Sequence, residues 1–168
     1  IPASVMDSRL PILGICYGMQ ALTYNLNGLV APSSEREYGS AQIETTQENP
    51  LLPSGAQTVW MSHGDRIVTP PPGFVTLATS ANSPIAAMGD LQRGYFGLQF
   101  HPEVHHTPGG KEILRRFVFD ICQATPDWST ESIISESIAR IRNTVGGAAV
   151  LSAVSGGVDS SVATAIVQ

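Results

Sequence analysis

The sequence predicts an α/β fold, an open sheet with flanking helices and short antiparallel strands, followed by the first strand, loop and helix of a second α/β domain. Three observations support this fold class. An apolar run at 10–15 passes through a tight glycine turn into a helix. Between 41 and 100, short apolar runs alternate with turns rich in proline and glycine, which is typical of several short strands. From 148, an apolar strand, a Gly/Ser loop and a helix start follow in order.

The elements of the first part follow from the spacing of apolar residues. A buried strand is predicted at 10–15, and the helix after it presents Met19, Leu22 and Leu26 on one face before Asn27-Gly28 ends it. Further strands are predicted at three short runs, 58–61, 75–78 and 95–100. A helix is predicted over 111–122, with its apolar face formed by Ile113, Leu114, Phe117, Val118 and Ile121.

A linker at 123–127 divides the chain into two predicted domains, 1–125 and 126–168. After the linker, Ser129 or Thr130 can cap a helix whose apolar stripe is spaced i, i+4, i+7, i+11, and Gly146-Gly147 ends that helix. A buried strand is then predicted at 148–154.

Composition excludes several classes of protein. The chain has 168 residues, of which 42% are hydrophobic, and this is too apolar for a disordered chain. Its formal net charge of −5 argues against a general nucleic-acid binder, and no apolar run is long enough for a membrane span. Two cysteines cannot form a disulfide framework, so a cytoplasmic protein is expected. The chain begins at Ile1 and stops inside a predicted helix, and we expect it to be a window on a longer protein.

Cys16 lies in the pattern Gly-x-Cys-x-Gly, where the first strand turns into a helix. A nucleophile on such a turn needs small neighbours on both sides because the backbone is crowded there. The helix N-terminus beside it is expected to favour the thiolate over the thiol. The pattern predicts a nucleophile at Cys16; the alternative is a buried structural cysteine, which is the role expected of Cys122.

His101 and Glu103 are the candidate partners of that thiol, because a nucleophilic cysteine needs an imidazole and a group that orients it. His101 ends an apolar strand, and residues i and i+2 of an extended segment project to the same side. The alternative is a strand-end histidine bonded to the backbone. His105 and His106 are expected to be solvated, and a zinc site is not expected because neither cysteine has a second ligand at metal-binding spacing.

The loop at 155–161 follows the last apolar strand and precedes a helix. Its glycines let backbone N–H groups converge, which suits a phosphate or pyrophosphate, and Asp159 can hold magnesium. The loop lacks the lysine of a Walker motif. A Gly/Ser turn without a ligand is the alternative. The residues of this candidate phosphate site are Ser155, Gly156, Gly157, Val158, Asp159, Ser160 and Ser161.

Three runs resemble the class I glutamine amidotransferase family: PILGICYGMQ, MSHGD and GLQFHPEVHHTPGG. In that family a Cys-His-Glu triad hydrolyses glutamine to glutamate and ammonia. The resemblance places the nucleophile on Cys16, the base on His101 and the orienting acid on Glu103, in an open sheet of the amidotransferase type. It also implies that the backbone N–H of Tyr17 supplies half of the oxyanion hole and that Gln20 helps to hold the substrate. Ser62 and His63 would lie beside the bound glutamine. Without the resemblance, His63-Gly64-Asp65 is simply a turn.

The sequence departs from the family in one respect. The family carries a Gly-Gly-Pro loop before the nucleophile, which donates the second oxyanion N–H, and nothing upstream of Leu10 matches it. Losing one such donor typically costs about 10²–10³ in turnover. We therefore predict that the chain by itself hydrolyses glutamine poorly.

The heptad SGGVDSS resembles the PP-loop of N-type ATP pyrophosphatases, which cleave ATP between its α- and β-phosphates. An amidotransferase followed by such a loop resembles the glutamine-hydrolysing GMP synthetase family. That resemblance implies that glutamine, ATP and XMP are the substrates, with Mg²⁺ expected to accompany ATP. It implies that XMP is adenylated and then aminated to GMP. It also implies a homodimer in the full-length protein. No nucleic-acid or membrane partner is expected. Two alternatives stay open, another class I amidotransferase chain and a non-catalytic binding module.

Overall fold

The computed structural model describes residues 1–127 and 129–168. These residues form two compact units, 1–124 and 125–168. Within the described part of the chain, no helix combines the length and the apolar character that crossing a bilayer requires.

The first unit is a mixed six-stranded sheet with helices. Its elements are α1 (Ala3–Asp7), β1 (Ile12–Ile15), α2 (Tyr17–Asn25), β2 (Leu29–Thr45), β3 (Ala56–Thr69), β4 (Val75–Ser80), β5 (Ala87–Asp90), β6 (Tyr95–Leu98), α3 (Gly110–Arg115) and a π-helical segment (Arg116–Ile121). The strand order is β1-β6-β5-β4-β2-β3. β1 and β6 are parallel, and all other pairs are antiparallel. The α/β class predicted from the sequence is confirmed for this unit.

The core lies on both faces of the central strands. Neighbouring residues of one strand belong to different apolar clusters, Ala87 and Met88 on β5 and Tyr95 and Phe96 on β6. Successive side chains of a strand point to opposite faces, so each face needs its own cover. α2 covers one face with Met19 and Leu22, while α3 and the π-helical segment cover the other. This burial on both faces explains why these strands read as continuous apolar runs.

The β2–β3 hairpin is much longer than the short strands expected between 41 and 100. β2 has 17 residues, and its backbone pairs with β3 over most of that length. Apolar periodicity could not reveal β2, because few of its side chains are buried. The alternative interpretation of His63-Gly64-Asp65 as a simple turn does not hold, since these residues lie within β3.

The helix predicted at 111–122 forms, but its second half is π-helical. Ile113 is fully buried, and Phe117 and Ile121 pack against the same cluster. Val118, which the regular spacing placed on this face, is exposed. The wider π turn changes the angle between successive residues, so the apolar face differs from that of a regular α-helix.

The second unit contains α4 (Thr130–Val145) and α5 (Val158–Val167). Ser129 caps α4 as predicted, in a reciprocal capping box with Ser132, and Gly146 ends the helix with φ of +60°. The buried strand predicted at 148–154 is wrong: these residues form no strand, and Leu151 is 99% exposed. A strand needs a partner for its backbone hydrogen bonds, and the described residues of this unit include none.

Candidate active site

Cys16 sits at a strained turn between β1 and α2. Its φ is +50°, a value that non-glycine residues rarely adopt. Its N–H donates to the carbonyl of Leu98 at 2.7 Å, and its own carbonyl accepts the N–H of Gln20 at 3.2 Å. A Cβ at Gly14 would lie 2.6 Å from the carbonyl oxygen of Gly18, whereas one at Gly18 would meet nothing within 4 Å. The predicted crowding is therefore real at Gly14 and absent at Gly18.

The thiol of Cys16 has two polar contacts. Its Sγ–H donates to the carbonyl of Ser62 at 3.6 Å, and the amide Nε2 of Gln99 donates to Sγ at 3.9 Å. Burial raises the pKa of the thiol and the charge of Glu103 raises it further, while the N–H of Tyr17 and the amide of Gln99 lower it by less. The N–H at the helix N-terminus lowers the pKa as expected, but burial outweighs it and the pKa of the thiol is raised overall. The raised pKa favours the thiol over the thiolate at neutral pH.

His101 and Glu103 form a close pair. The Nδ1–H of His101 donates to Oε1 of Glu103 at 2.6 Å. The sequence argument placed both on an extended segment, but β6 ends at Leu98 and the intervening Pro102 begins a turn. The carboxylate accepts from Nδ1 and so fixes the tautomer, which leaves Nε2 as the nitrogen that can exchange a proton.

The backbone of His101 is tied to β3. Its N–H donates to the carbonyl of Trp60 at 2.9 Å. The hydroxyl of Thr107 donates to the carbonyl of His101 at 2.6 Å and accepts the N–H of Trp60 at 3.0 Å. Thr107 is buried, so this one hydroxyl links the histidine to the strand whose Ser62 carbonyl contacts Cys16.

Sequence reasoning missed Gln99 and Thr107. Gln99 did leave a signal, because it is a polar residue inside the apolar run at 95–100 and is fully buried. Its Oε1 is a buried oxygen without a hydrogen-bond partner among the described residues, so the contact with Cys16 is made by the amide nitrogen alone. Thr107 left no comparable signal, since a threonine after two histidines reads as an ordinary loop residue.

The residues implied to hold glutamine lie around Cys16, though not all as expected. Tyr17 opens α2 with its N–H near the thiol and its ring 77% exposed. Gln20 donates from Nε2 to the carbonyl of Asp65 at 3.3 Å. Ser62 has an exposed side chain and contacts the thiol through its carbonyl. The side chain of His63 is buried, and both of its ring nitrogens contact other groups of the protein.

The other histidines and Cys122 lie outside this arrangement. His105 and His106 are exposed, as expected from the sequence. The ring of His106 stacks on that of Trp60, with the ring centroids 4.3 Å apart. Cys122 is a free thiol that is only half-buried, so its expected place in the core is wrong.

The loop at 155–161 belongs to the second unit and is mostly exposed. Ser160 and Ser161 donate their hydroxyls to the carbonyl of Gly157, at 3.1 and 2.9 Å, and α5 begins at Val158. Gly156 has φ of +85°, which a glycine adopts without strain. Asp159 is exposed, and the described residues contain no group of three side chains able to hold a metal ion. ATP binding by this loop stays a prediction.

The contact from Gln99 gives a test of the thiol's environment. Gln99→Met keeps the shape of the side chain and removes the donor, so the pKa of Cys16 is expected to rise further. At a fixed pH below that pKa, alkylation of Cys16 by iodoacetamide should slow by about two- to tenfold, because one hydrogen bond is worth about 0.5–1.5 kcal/mol. The rates are measured against pH in a Cys122→Ser background, with Gln92→Met on the surface as the control. A pH profile that does not move contradicts the contact.

Comparison with known proteins places the chain in a family. The chain matches the glutamine amidotransferase class-I family over residues 1–121. It is 54% identical to the glutamine-hydrolysing GMP synthase of Thermomicrobium roseum over 171 aligned residues, and 50% identical to that of Geobacillus kaustophilus over 168. These alignments cover 100% and 98% of the chain but only 32% and 33% of the relatives, so the chain spans about a third of their length.

Solved structures agree with the family match. A candidate GMP synthase component from Thermoplasma acidophilum superimposes with a TM-score of 0.67 and 31% identity, covering 79% of this chain and 64% of that one. A glutamine amidotransferase from Thermotoga maritima shares the fold, with a TM-score of 0.63 and 20% identity over 73% of this chain and 66% of that one. With the family match extending over most of its length, the chain belongs to the class I glutamine amidotransferase family.

Proposed function

We propose that the first unit hydrolyses glutamine, with Cys16 as nucleophile, His101 as base and acid, and Glu103 as the group that orients the imidazole. One observation carries the proposal: the 2.6 Å pair of His101 and Glu103 follows the end of β6, and the thiol's own backbone is bonded to that strand at Leu98. Family membership supports the reaction class.

The steps follow from the protonation of these groups. Nε2 of His101 takes the proton of the Cys16 thiol as sulfur attacks the side-chain carbonyl carbon of glutamine, and the Tyr17 N–H stabilises the oxyanion. His101 then gives the proton to the amide nitrogen, the C–N bond breaks, and ammonia leaves a thioester on sulfur. Water attacks the thioester with His101 as base, and glutamate departs as sulfur regains its proton. The raised pKa of Cys16 makes the first proton transfer a necessary step.

The wider reaction of the full-length protein is part of the same proposal. Relatives named glutamine-hydrolysing GMP synthases align over nearly all of the chain, including 155–161. We propose that this loop binds the phosphates of ATP with Mg²⁺, that XMP is adenylated, and that ammonia displaces AMP to give GMP. Cytoplasmic location and a homodimer belong to this proposal as well, as does slow ammonia release by the chain alone.

The test labels the thiols with a diazoketone analogue of glutamine. We expect selective labelling of Cys16 over Cys122, protection by glutamine, and loss of labelling in Cys16→Ala, because only Cys16 has a proposed glutamine site beside it. Labelled positions are read by peptide mass spectrometry, and ammonia release is measured in parallel with Cys122→Ser as the control. Equal labelling of both thiols, or labelling that glutamine does not slow, would point to a non-catalytic binding module.

A further inference from the structure

Four polar side chains near Ser62 form a hydrogen-bonded cluster in which one member, Ser80, is only partly buried. Glu37 on β2 and His63 on β3 are directly paired in the strand register, and both are almost completely buried. Oε1 of Glu37 accepts the hydroxyl of Ser80 at 2.7 Å, and Oε2 accepts that of Ser83 at 2.8 Å. Nε2 of His63 lies 3.1 Å from Oε2. We call Glu37, His63, Ser80 and Ser83 the β-clamp; the mechanism above uses none of them.

The hydrogen-bond partners of His63 fix where protons lie. Nδ1 faces the carbonyl of Asp65 at 2.9 Å, and a carbonyl only accepts, so Nδ1 carries a hydrogen. Nε2 faces a carboxylate oxygen of Glu37, and that contact requires a proton between the two atoms. The imidazole is therefore held at both nitrogens, which leaves the ring one orientation.

The β-clamp is connected to the active site through the backbone on either side of His63. The carbonyl of Asp65 accepts from Nδ1 of His63 and from Nε2 of Gln20, at 2.9 and 3.3 Å. The carbonyl of Ser62 accepts from the thiol of Cys16 at 3.6 Å. Residues 62–65 thus contact the nucleophile at one end and Gln20 at the other, while the buried ring between them is fixed by Glu37.

The pairing of β2 and β3 is irregular next to the β-clamp. Between the positions paired with Asp65 and His63, β2 carries residues 33–36 whereas β3 carries only Gly64. An extra stretch of this kind interrupts the regular ladder, so backbone pairing alone holds the strand less firmly there. The β-clamp bridges β2, β3 and the end of β4 at this irregularity.

We propose that the β-clamp consists of positioning residues, which hold the carbonyls of Ser62 and Asp65 where Cys16 and Gln20 need them for glutamine binding. This inference rests on the proposed glutamine hydrolysis and assigns His63 a different task from the glutamine contact that the family resemblance implies. A displacement near 1 Å at a reacting centre can cost about 10²-fold. The buried pair thus acts on the reaction through the strand and touches no substrate.

The first test compares two labelling rates of Cys16 on the 168-residue chain, one with the diazoketone glutamine analogue and one with iodoacetamide, which needs no glutamine site. Glu37→Gln keeps the shape of the side chain and removes its charge; Glu44→Gln, exposed on the same strand, is the matched control. We expect Glu37→Gln to lower the ratio of the two rates by about tenfold, as expected for a misplaced binding group. A ratio equal to that of Glu44→Gln in a folded Glu37→Gln chain overturns the proposal.

The second test does not depend on glutamine. In ¹⁵N NMR spectra of the wild-type chain, Nδ1 of His63 should carry a slowly exchanging proton, and Glu37→Gln should shift the side-chain amide resonance of Gln20. A bare Nδ1, or a Gln20 amide that does not move, overturns the positioning role. A wild-type chain that ignores the glutamine analogue overturns the proposed hydrolysis instead, and the NMR result still decides the role of the β-clamp.

Discussion

Gly14→Ala should destabilise the first unit by about 1–3 kcal/mol, the range expected when a well-packed site is overfilled. The added Cβ would lie 2.6 Å from the carbonyl oxygen of Gly18 and 2.8 Å from the backbone nitrogen of Met19. Both are backbone atoms of α2, so no side chain can rotate away to make room. Relief would require the helix to move away from β1, and Cys16 lies at the junction of the two.

Gly18→Ala is the matched control, because it places the same methyl group at the other glycine of the motif. It meets no heavy atom within 4 Å, and Gly18 lies inside α2, where alanine is favoured over glycine by about 0.8–1.0 kcal/mol. We expect Gly18→Ala to be neutral or stabilising. Urea denaturation followed by circular dichroism measures both, and equal losses of stability in the two variants would contradict the packing account.

Glu103→Gln is expected to have opposite effects on two reactions of Cys16. Hydrolysis of glutamine should fall by about 10²–10⁴, because the amide no longer stabilises an imidazolium and need not select the right tautomer of His101. Alkylation by iodoacetamide at fixed pH should become faster, because the charge of Glu103 raises the pKa of Cys16 and its removal lowers that pKa.

Ammonia release and the iodoacetamide rate are measured on the same preparation, with Glu48→Gln at an exposed position as the control. A variant that merely loses its fold would lose hydrolysis while exposing both thiols to the reagent, so the rate at Cys122 is recorded alongside. Slower alkylation of Cys16 together with slower hydrolysis would contradict the role assigned to Glu103.

The sequence was informative wherever local pattern determined the structure. The turn carrying Cys16, the helix after it and the cap at Ser129 all follow from short-range residue preferences. The pairing of His101 with Glu103 also forms, although a turn rather than an extended segment brings the two side chains together.

The missed features depend on long-range pairing and burial. β2 is held by its register with β3, and a mostly polar strand gives no apolar pattern from which that register could be predicted. The strand predicted at 148–154 has the right composition but no partner among the described residues of its unit. The raised pKa of Cys16 reflects how deeply the sulfur is buried, which the Gly-x-Cys-x-Gly pattern does not specify.

Three backbone carbonyls of β3 each accept a hydrogen bond from a different part of the candidate site. Trp60 binds the amide of His101, Ser62 binds the sulfur of Cys16, and Asp65 binds the side chain of Gln20. His101, Cys16 and Gln20 are therefore all positioned by the same strand. A displacement of β3 relative to β1 and α2 would therefore change all three contacts at once.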